Sequence, residues 1–441
     1  MVDFELVKSV LKRVDYVLLI FSDLVGGIRG RMVSSKYALK AFVEGVGFDG
    51  SSVPGFSSIE ESDLVMRGDL TTLGLLPEYV YGRPVAIAVC NIFDAVGNVF
   101  PFDSRGVCRR WLGRFKDYFF RVAAEVEFYL VRWTSNGLEP VEHVVGNQYF
   151  TVLPNSVWTE RFRLDFCDAL RGVGVIVERE GHEVGAGQNE ITFKYAGPVG
   201  LGDHILYYRF LAKSVAAVKY GWIATFMPKP WIDLPGNGMH IHVSLFAGGK
   251  NLFYDPSGYA GLSQVGRYFV GGLIDHARAL CAVVAPTVNS YKRLVPKFEA
   301  PVYACWGWGN RSVMVRIPKY FAGDGDKKRI EFRCPDPLCN PYFALVSILE
   351  AGMDGIKRRI DPGDPVNDNV YNCSGKKNLL RLPKSLFEAL EEWKSDEVCV
   401  KALGREVAEK YLELKMAEWK AYKKHKGAKI TSWEHKYYLY M

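Results

Sequence analysis

Between Ala123 and Trp133 the chain reads AAEVEFYLVRW, an apolar run whose only acids, Glu125 and Glu127, stand two residues apart. Successive side chains of an extended strand point to opposite faces, so these two carboxylates share one face, about 6.6 Å apart along the strand. One such pair is commonly a solvated strand face. Here the pattern recurs inside otherwise apolar strands: His240 and His242 in GMHIHVSLF, then Glu331 and Arg333 in RIEFRCP. Glu183 and Glu190 add two acids in HEVGAGQNEI, a Gly-rich segment leading into a strand. Any fold of this chain has to give these strands a polar face.

Five carboxylates with one or two imidazoles form an oxygen-rich donor set, which suits Mg²⁺ or Mn²⁺ better than zinc. Gathered without a cation they would repel strongly, so convergence would itself imply metal. A second set, Arg293, Arg311, Arg316, Arg329 and Arg333, falls between residues 290 and 335. Planar guanidiniums grip carboxylate or phosphate bidentately, and several beside metal ligands suggest an anionic substrate in phosphoryl transfer. No GxxxxGK[ST] occurs, and neither GVGVIVE nor GAGQNE completes GxGxxG after a strand, which argues against P-loop and Rossmann nucleotide binding.

The 441 residues are 49% hydrophobic and 24% charged, which excludes a disordered chain and leaves room for two or three domains. No uncharged apolar stretch approaches the roughly 18 residues of a membrane helix. The first twenty residues interleave charged and apolar types and show no signal peptide, so a soluble cytoplasmic protein is expected. A net charge of +7 is mild for this length, and the basic run Lys423 to Lys429 reads as a solvated helix end, without a nucleic-acid partner. Nine cysteines without a CxxC pair read as reduced thiols packed as small hydrophobes.

Strands are expected at 16–25 and 85–93, with a capped helix from Ser34 or Ser35 ending at Gly45, a small α+β unit. Beyond residue 101 strands alternate with longer helices, at Asp203–Trp222, Leu262–Ala285 and Asn340–Ile360, the last with Pro341 at its first position. The boundary is expected near residue 100, giving domains of 1–100 and 101–441.

FDGSS, EVEFYL, HEVGAGQNEI, FMPKP, GMHIHVSL, NSYKRLVP, NRSVMVRIP and RIEFRCPDPLCNPY follow one another between Phe48 and Tyr342, and TSWEHKYYL lies near the C-terminus. In this order they resemble the signature blocks of the glutamine synthetase family, in its short-subunit bacterial and archaeal branch. The resemblance implies an α+β fold with a small N-terminal β-grasp domain and a large catalytic domain built on a curved antiparallel sheet. It implies ATP-dependent ligation of L-glutamate and ammonia through a γ-glutamyl phosphate, with two or three Mg²⁺ or Mn²⁺ ions per site. It also implies a homododecamer of two hexameric rings, with active sites between subunits.

Carried over by position, Glu127, Glu183 and Glu190 would hold one metal, and Glu125, His240 and Glu331 a second near the ATP phosphates. Arg293, Arg333 and Gly236 would contact glutamate. Arg311 and Arg329 would face the phosphates, and Glu178, His242 and Ser244 the nucleotide. Asp49, from the neighbouring subunit, would bind and deprotonate ammonium, and Glu299 would sit on a flap closing over the intermediate.

Several positions depart from the pattern. The family's NGSGMH is PGNGMH here, with Pro235 and Asn237 replacing Asn and Ser. The flap PGxEAP carries Lys297 for glycine. Asp326 falls where lysine is common, and Ser58 where many members carry an arginine tied to feedback. Tyr371, near a tyrosine that is modified in the longer-subunit branch, is expected to be a packed or exposed aromatic. Pro235 and Lys297 favour an alternative, ligation of glutamate or a similar acid to an amine, whereas Asp49 and Glu299 favour ammonia. A non-catalytic structural oligomer is the weakest reading, because all six metal-ligand positions are filled.

Overall fold

A computed structural model describes residues 4–142, 147–152, 157–319, 323–372, 379–425, 427 and 429–441. Its first sheet holds six strands, ordered Ile28–Ser34, Tyr16–Ser22, Val85–Asp94, Asp63–Gly68 and Val46–Asp49, with Gly74–Leu75 also paired to Val85–Asp94. Tyr16–Ser22 and Val85–Asp94 run parallel at its centre. Both are continuous apolar runs buried almost throughout, as expected of strands covered on both faces. The helix Ser35–Val43 turns Ala38, Ala41 and Phe42 inward. Ser34 stands at its N-cap but makes no side-chain capping bond, so the capping expected there is absent. The first strand stops at Ser22, not Val25, because the Asp23 carboxylate accepts from the N–H groups of Val25 and Gly27 and turns the chain.

The second sheet is a curled, mostly antiparallel layer. Its main path is Trp306–Trp308, Val315–Ile317, Ile330–Phe332, Met239–Ala247, Phe119–Thr134, Gln188–Phe193 and Val177–His182. Phe119–Thr134 is its axis. Phe120, Val122, Ala124, Val126 and Phe128 are buried, whereas Arg121, Ala123, Glu125 and Glu127 between them are only partly so. The buried side packs beneath the helices Val157–Gly172 and Pro198–Val215, where Phe128 meets Phe162, Phe166, Tyr208 and Phe226. The other side carries the polar residues.

Two sequence-expected helices are cut differently. Pro198 begins the helix expected from Asp203, and Leu262–Ala285 is divided into Gln264–Asp275 and Ala277–Val284. The break falls at His276, whose ring nitrogens are held by Asp354 on Pro341–Arg358 and by Asp396, the N-cap of Glu397–Leu403. Pro341–Arg358 begins as expected, with Asn340 capping the N–H groups of Tyr342 and Phe343.

Buried polar contacts join the two sheets' units. Arg105, on the helix Ser104–Leu112, makes two 2.8 Å bonds to Asp203 and reaches Asp69 at 3.0 Å and Asn91 at 2.7 Å. The eight cysteines described are buried and unpaired, as the sequence suggested. Among the described residues no helix is long and apolar enough to cross a membrane.

Candidate active site

Strand register assembles the polar face. On Phe119–Thr134, Glu125 lies opposite His240 on one side and Thr192 on the other, and Glu127 lies opposite Glu190. One strand further, His242 lies opposite Glu331, and Glu331 opposite Arg316. Directly paired residues project to the same face, so pairs two apart in sequence become rows across the sheet.

At one end of this patch His240 Nδ1 stands 3.2 Å from Glu125 and 3.9 Å from Glu331, and His242 Nε2 stands 3.1 Å from Glu125. Ligand atoms of Glu125, His240 and Glu331 all lie within 4.8 Å of one another. Burial would raise the Glu125 carboxyl, but His242 and then His240 outweigh it and hold it well below the usual carboxylate range. Burial likewise opposes ionisation of Glu331, and Arg333 followed by His242 bring it down to about 2. Arg333 bonds Glu331 at 2.5 Å, and Arg316 pairs with its second oxygen. Arg316 and Arg333 thus both hold Glu331, one on each carboxylate oxygen. Burial and then Arg333 push the His240 imidazole down to about 4, which leaves it neutral and able to ligate.

At the other end burial outweighs the nearby guanidiniums, Arg293 and Arg333 at Glu127, Arg311 at Glu183 and Arg179 at Glu190. Gly238 N–H donates to Glu127 at 2.8 Å and Gln188 Nε2 at 3.3 Å, yet burial pushes this carboxyl up to about 7. Burial and then Glu127 raise Glu183 to about 8. Burial and the charges of Glu125, Glu183 and Glu127 hold Glu190 well above its ordinary value. Glu127, Glu183 and Glu190 thus lie near enough to raise one another, but their carboxylate oxygens do not gather within 4.8 Å as the ligand atoms of Glu125, His240 and Glu331 do. A divalent cation is the partner that would remove the conflict.

Guanidiniums line the adjoining side. Arg293 is buried and fixed by the carbonyls of Cys334 and Arg333, at 2.8 and 3.1 Å. Arg333 also reaches the Glu299 carbonyl at 3.3 Å. Arg329 Nε donates to His242 Nδ1 at 3.3 Å, and the exposed Arg311 is close enough to lower Glu183. Gly236 is required by close approach: a Cβ there would lie 2.5 Å from the Pro228 carbonyl and 2.8 Å from Arg293 Cγ. Ser244 lies on the same strand face and donates to the Lys328 carbonyl.

Three expected site residues have exposed side chains. Glu178 is exposed where the ladder between Val177–His182 and Gln188–Phe193 shifts register. Glu299 is exposed in a loop where both it and Lys297 have positive φ, 54° and 99°. Asp49 is exposed, and its carboxylate is occupied by Ser51 and Ser52, whose hydroxyls keep it below its usual range.

The substituted positions have local roles. Asn237 is buried, and its amide donates to the Met227 carbonyl and accepts from Gln188, so it holds the loop from beneath. The Pro235 carbonyl accepts from Tyr129 at 2.9 Å. Asp326 pairs with Arg121 at 3.0 Å, and Tyr371 packs with its hydroxyl on the Ala300 carbonyl. Sequence reasoning missed Gln188 and Arg179. Gln188 bridges Glu127, Gly236 and Asn237, and Arg179 lies opposite Thr192 and lowers Glu190. Strand parity could have found Gln188, which is two residues before Glu190.

Comparison with known proteins agrees with this architecture. Residues 13–95 match the family model for the glutamine synthetase beta-Grasp domain, and residues 101–438 match the glutamine synthetase catalytic domain. These two matches together span most of the chain, which belongs to the glutamine synthetase family. Glutamine synthetase of Thermotoga maritima is 40% identical over 99% of both chains, and that of Pyrococcus furiosus 39% identical over 97% of both. Among solved structures, a GmaS/ADP complex is 31% identical with a TM-score of 0.87, covering all of both chains. The cryoEM structure of Plasmodium falciparum glutamine synthetase is 26% identical with a TM-score of 0.84, covering 96% of this chain and 97% of that one.

Proposed function

We propose that this chain joins ammonia to the γ-carboxylate of L-glutamate, using ATP to activate the acid as γ-glutamyl phosphate. The observation that carries the reading is the gathering of Glu125, His240 and Glu331 within 4.8 Å, with Glu127 and Glu190 paired on the same sheet face and Glu183 close enough to Glu127 to be raised by it, beside Arg293, Arg329 and Arg333. In this reading Glu127, Glu183 and Glu190 hold one divalent cation and Glu125, His240 and Glu331 another, two or three Mg²⁺ or Mn²⁺ in all. When bound, such cations neutralise phosphate charge and polarise the transferring group.

The remaining roles belong to the chain's own groups. Arg293 and Arg333, with the open space left by Gly236, orient glutamate. Arg311 and Arg329 offset charge on the phosphates, while Glu178, His242 and Ser244 contact the nucleotide. Ammonium must lose a proton before it can attack, and a low-pKa carboxylate such as Asp49 attracts the cation and takes part in its deprotonation. Glu299 closes over the intermediate and helps exclude water. Asp49 is exposed and bonded within its own loop. That leaves it open to a neighbouring subunit's site, in the dodecamer of two hexameric rings that the family resemblance implies. The functional division is 1–100 and 101–441, and the ATP requirement supports a cytoplasmic setting.

The curated relatives support ammonia over an amine acceptor, and the filled metal-ligand positions tell against a non-catalytic oligomer. The test is product mass and phosphate release from Mg·ATP and L-glutamate with ammonium or a panel of primary amines. Glutamine formed with ammonium supports the reading. Turnover with an amine alone would overturn it.

A further inference from the structure

Two stretches singled out in the sequence, FMPKP and TSWEHKYYL, have no part in the chemistry above, yet the fold joins them. Lys229, in the first, is fully buried. Its ammonium donates to the Leu234 carbonyl at 2.5 Å and lies 3.7 Å from the centre of the Phe298 ring. Burial, then Arg293, push it down to about 8 against the weaker pull of Asp233. Leu234 leads directly into Pro235 and Gly236, and Phe298 lies between the two positive-φ residues Lys297 and Glu299. A loop holding two non-glycine residues in that region needs outside contacts to keep its shape.

The C-terminal helix Ser432–Tyr438 supports Lys229 from below. Lys229 N–H donates to Asn289 at 2.6 Å, and the Asn289 amide returns a 3.0 Å bond to the Lys229 carbonyl. The same amide donates to Glu434 at 2.9 Å. Glu434 is fully buried, completes the capping box with Thr431 and pairs with Lys292 at 2.6 Å. His435 Nε2 meets the Pro230 carbonyl at 2.9 Å.

We propose that Lys229 is a positioning residue that ties the flap loop carrying Glu299 to the substrate loop carrying Gly236, with the C-terminal helix as its footing. The inference rests on the glutamine-forming reading above. One ammonium serves both loops, through a carbonyl of the first and an aromatic face of the second. A desolvated cation over a ring is among the stronger contacts available to an exposed loop. With the tie cut, water reaches the acyl phosphate, adds to its acyl carbon and expels phosphate. Glutamate is regenerated, and ATP is consumed without glutamine.

The experiment measures phosphate and glutamine together for the full-length wild type, K229M, K229R, F298L and the double variant K229M/F298L. In K229M the phosphate released per glutamine should rise severalfold and KM for ammonium about tenfold, the scale of one desolvated cation–π contact. KM for ATP should hold. K229R, which keeps a cation over the ring, should restore much of the coupling. F298L should uncouple in the same way with Lys229 and its footing intact, and the double variant should be no worse than K229M.

K229M with wild-type coupling, additive effects in the double variant, or equal losses for ATP and ammonium would overturn the assignment. If K229M fails to fold, F298L and K229R decide it by the same ratio. A wild type that forms no glutamine removes the ligation reading itself, whereas a wild type that forms it beside a fully coupled F298L removes only the tie.

Discussion

Glu127 is anchored by a backbone N–H and the Gln188 amide while burial opposes its charge. A carboxyl buried against its own ionisation is one that a bound cation would relieve. Glu127→Ala should lower glutamine formation by about a hundredfold or more, the loss expected on disturbing a metal site, with the fold intact. Near-normal turnover would remove Glu127 from the site. Lys297 is strained for a different reason. Its φ of 99° lies where a Cβ is crowded, which accounts for glycine at this place in the family pattern. Lys297→Gly should stabilise the folded chain by about 1 kcal/mol in denaturant unfolding, strain relief exceeding the entropy that glycine adds to the unfolded state. The same variant should raise kcat/KM for ammonium if the lysine charge repels it. A fall in stability would show that the Lys297 side chain makes contacts that outweigh the strain.

Elements were legible where a period was clear and hidden where a tertiary contact overrode it. AAEVEFYLVRW could be read as a strand with Glu125 and Glu127 on one face, because alternation is a local property. Which strands lie beside it is not local: the pairing of Glu125 with His240 and of Glu127 with Glu190 depends on register across distant segments. The motif resemblance supplied that grouping, and Gln188 was missed although its parity placed it on the same face. Leu262–Ala285 looked like one helix because its apolar spacing continues through His276. What divides it is the capture of that imidazole by Asp396 and Asp354, residues far along the chain.

This junction should also respond to pH. Burial would lower His276, but Asp396 first, then Asp354 and Asp275, hold it above its ordinary value. Arg358 bonds Asp354 and Asp275 from the other side and moderates their pull. A histidine raised by its partners contributes fully below about 6.5 and loses that contribution as pH rises through its folded value. The stability gap between wild type and His276→Gln should therefore be widest in mild acid and narrow towards pH 8 in thermal unfolding. A gap that widens with pH would reverse the assignment.

Across the whole molecule, the second sheet carries two surfaces of opposite character. One is packed with aromatic side chains beneath two helices, and the other holds acids that repel one another when no cation is bound. Such a fold should gain stability from any ion that binds only the folded state. Mg²⁺ at a hundred times its dissociation constant should stabilise the chain by about 2.7 kcal/mol, seen as a higher Tm that EDTA reverses. A Tm indifferent to both would show that the acids do not gather a cation.

In the proposed reaction this face activates glutamate by phosphorylating its γ-carboxylate. If a carboxylate oxygen attacks the terminal phosphorus of ATP and ammonia then displaces phosphate, that oxygen must leave with the phosphate. L-glutamate carrying heavy oxygen in its γ-carboxylate should therefore give phosphate with one labelled oxygen for each glutamine formed. Phosphate without label, released while glutamine accumulates, would contradict that reaction.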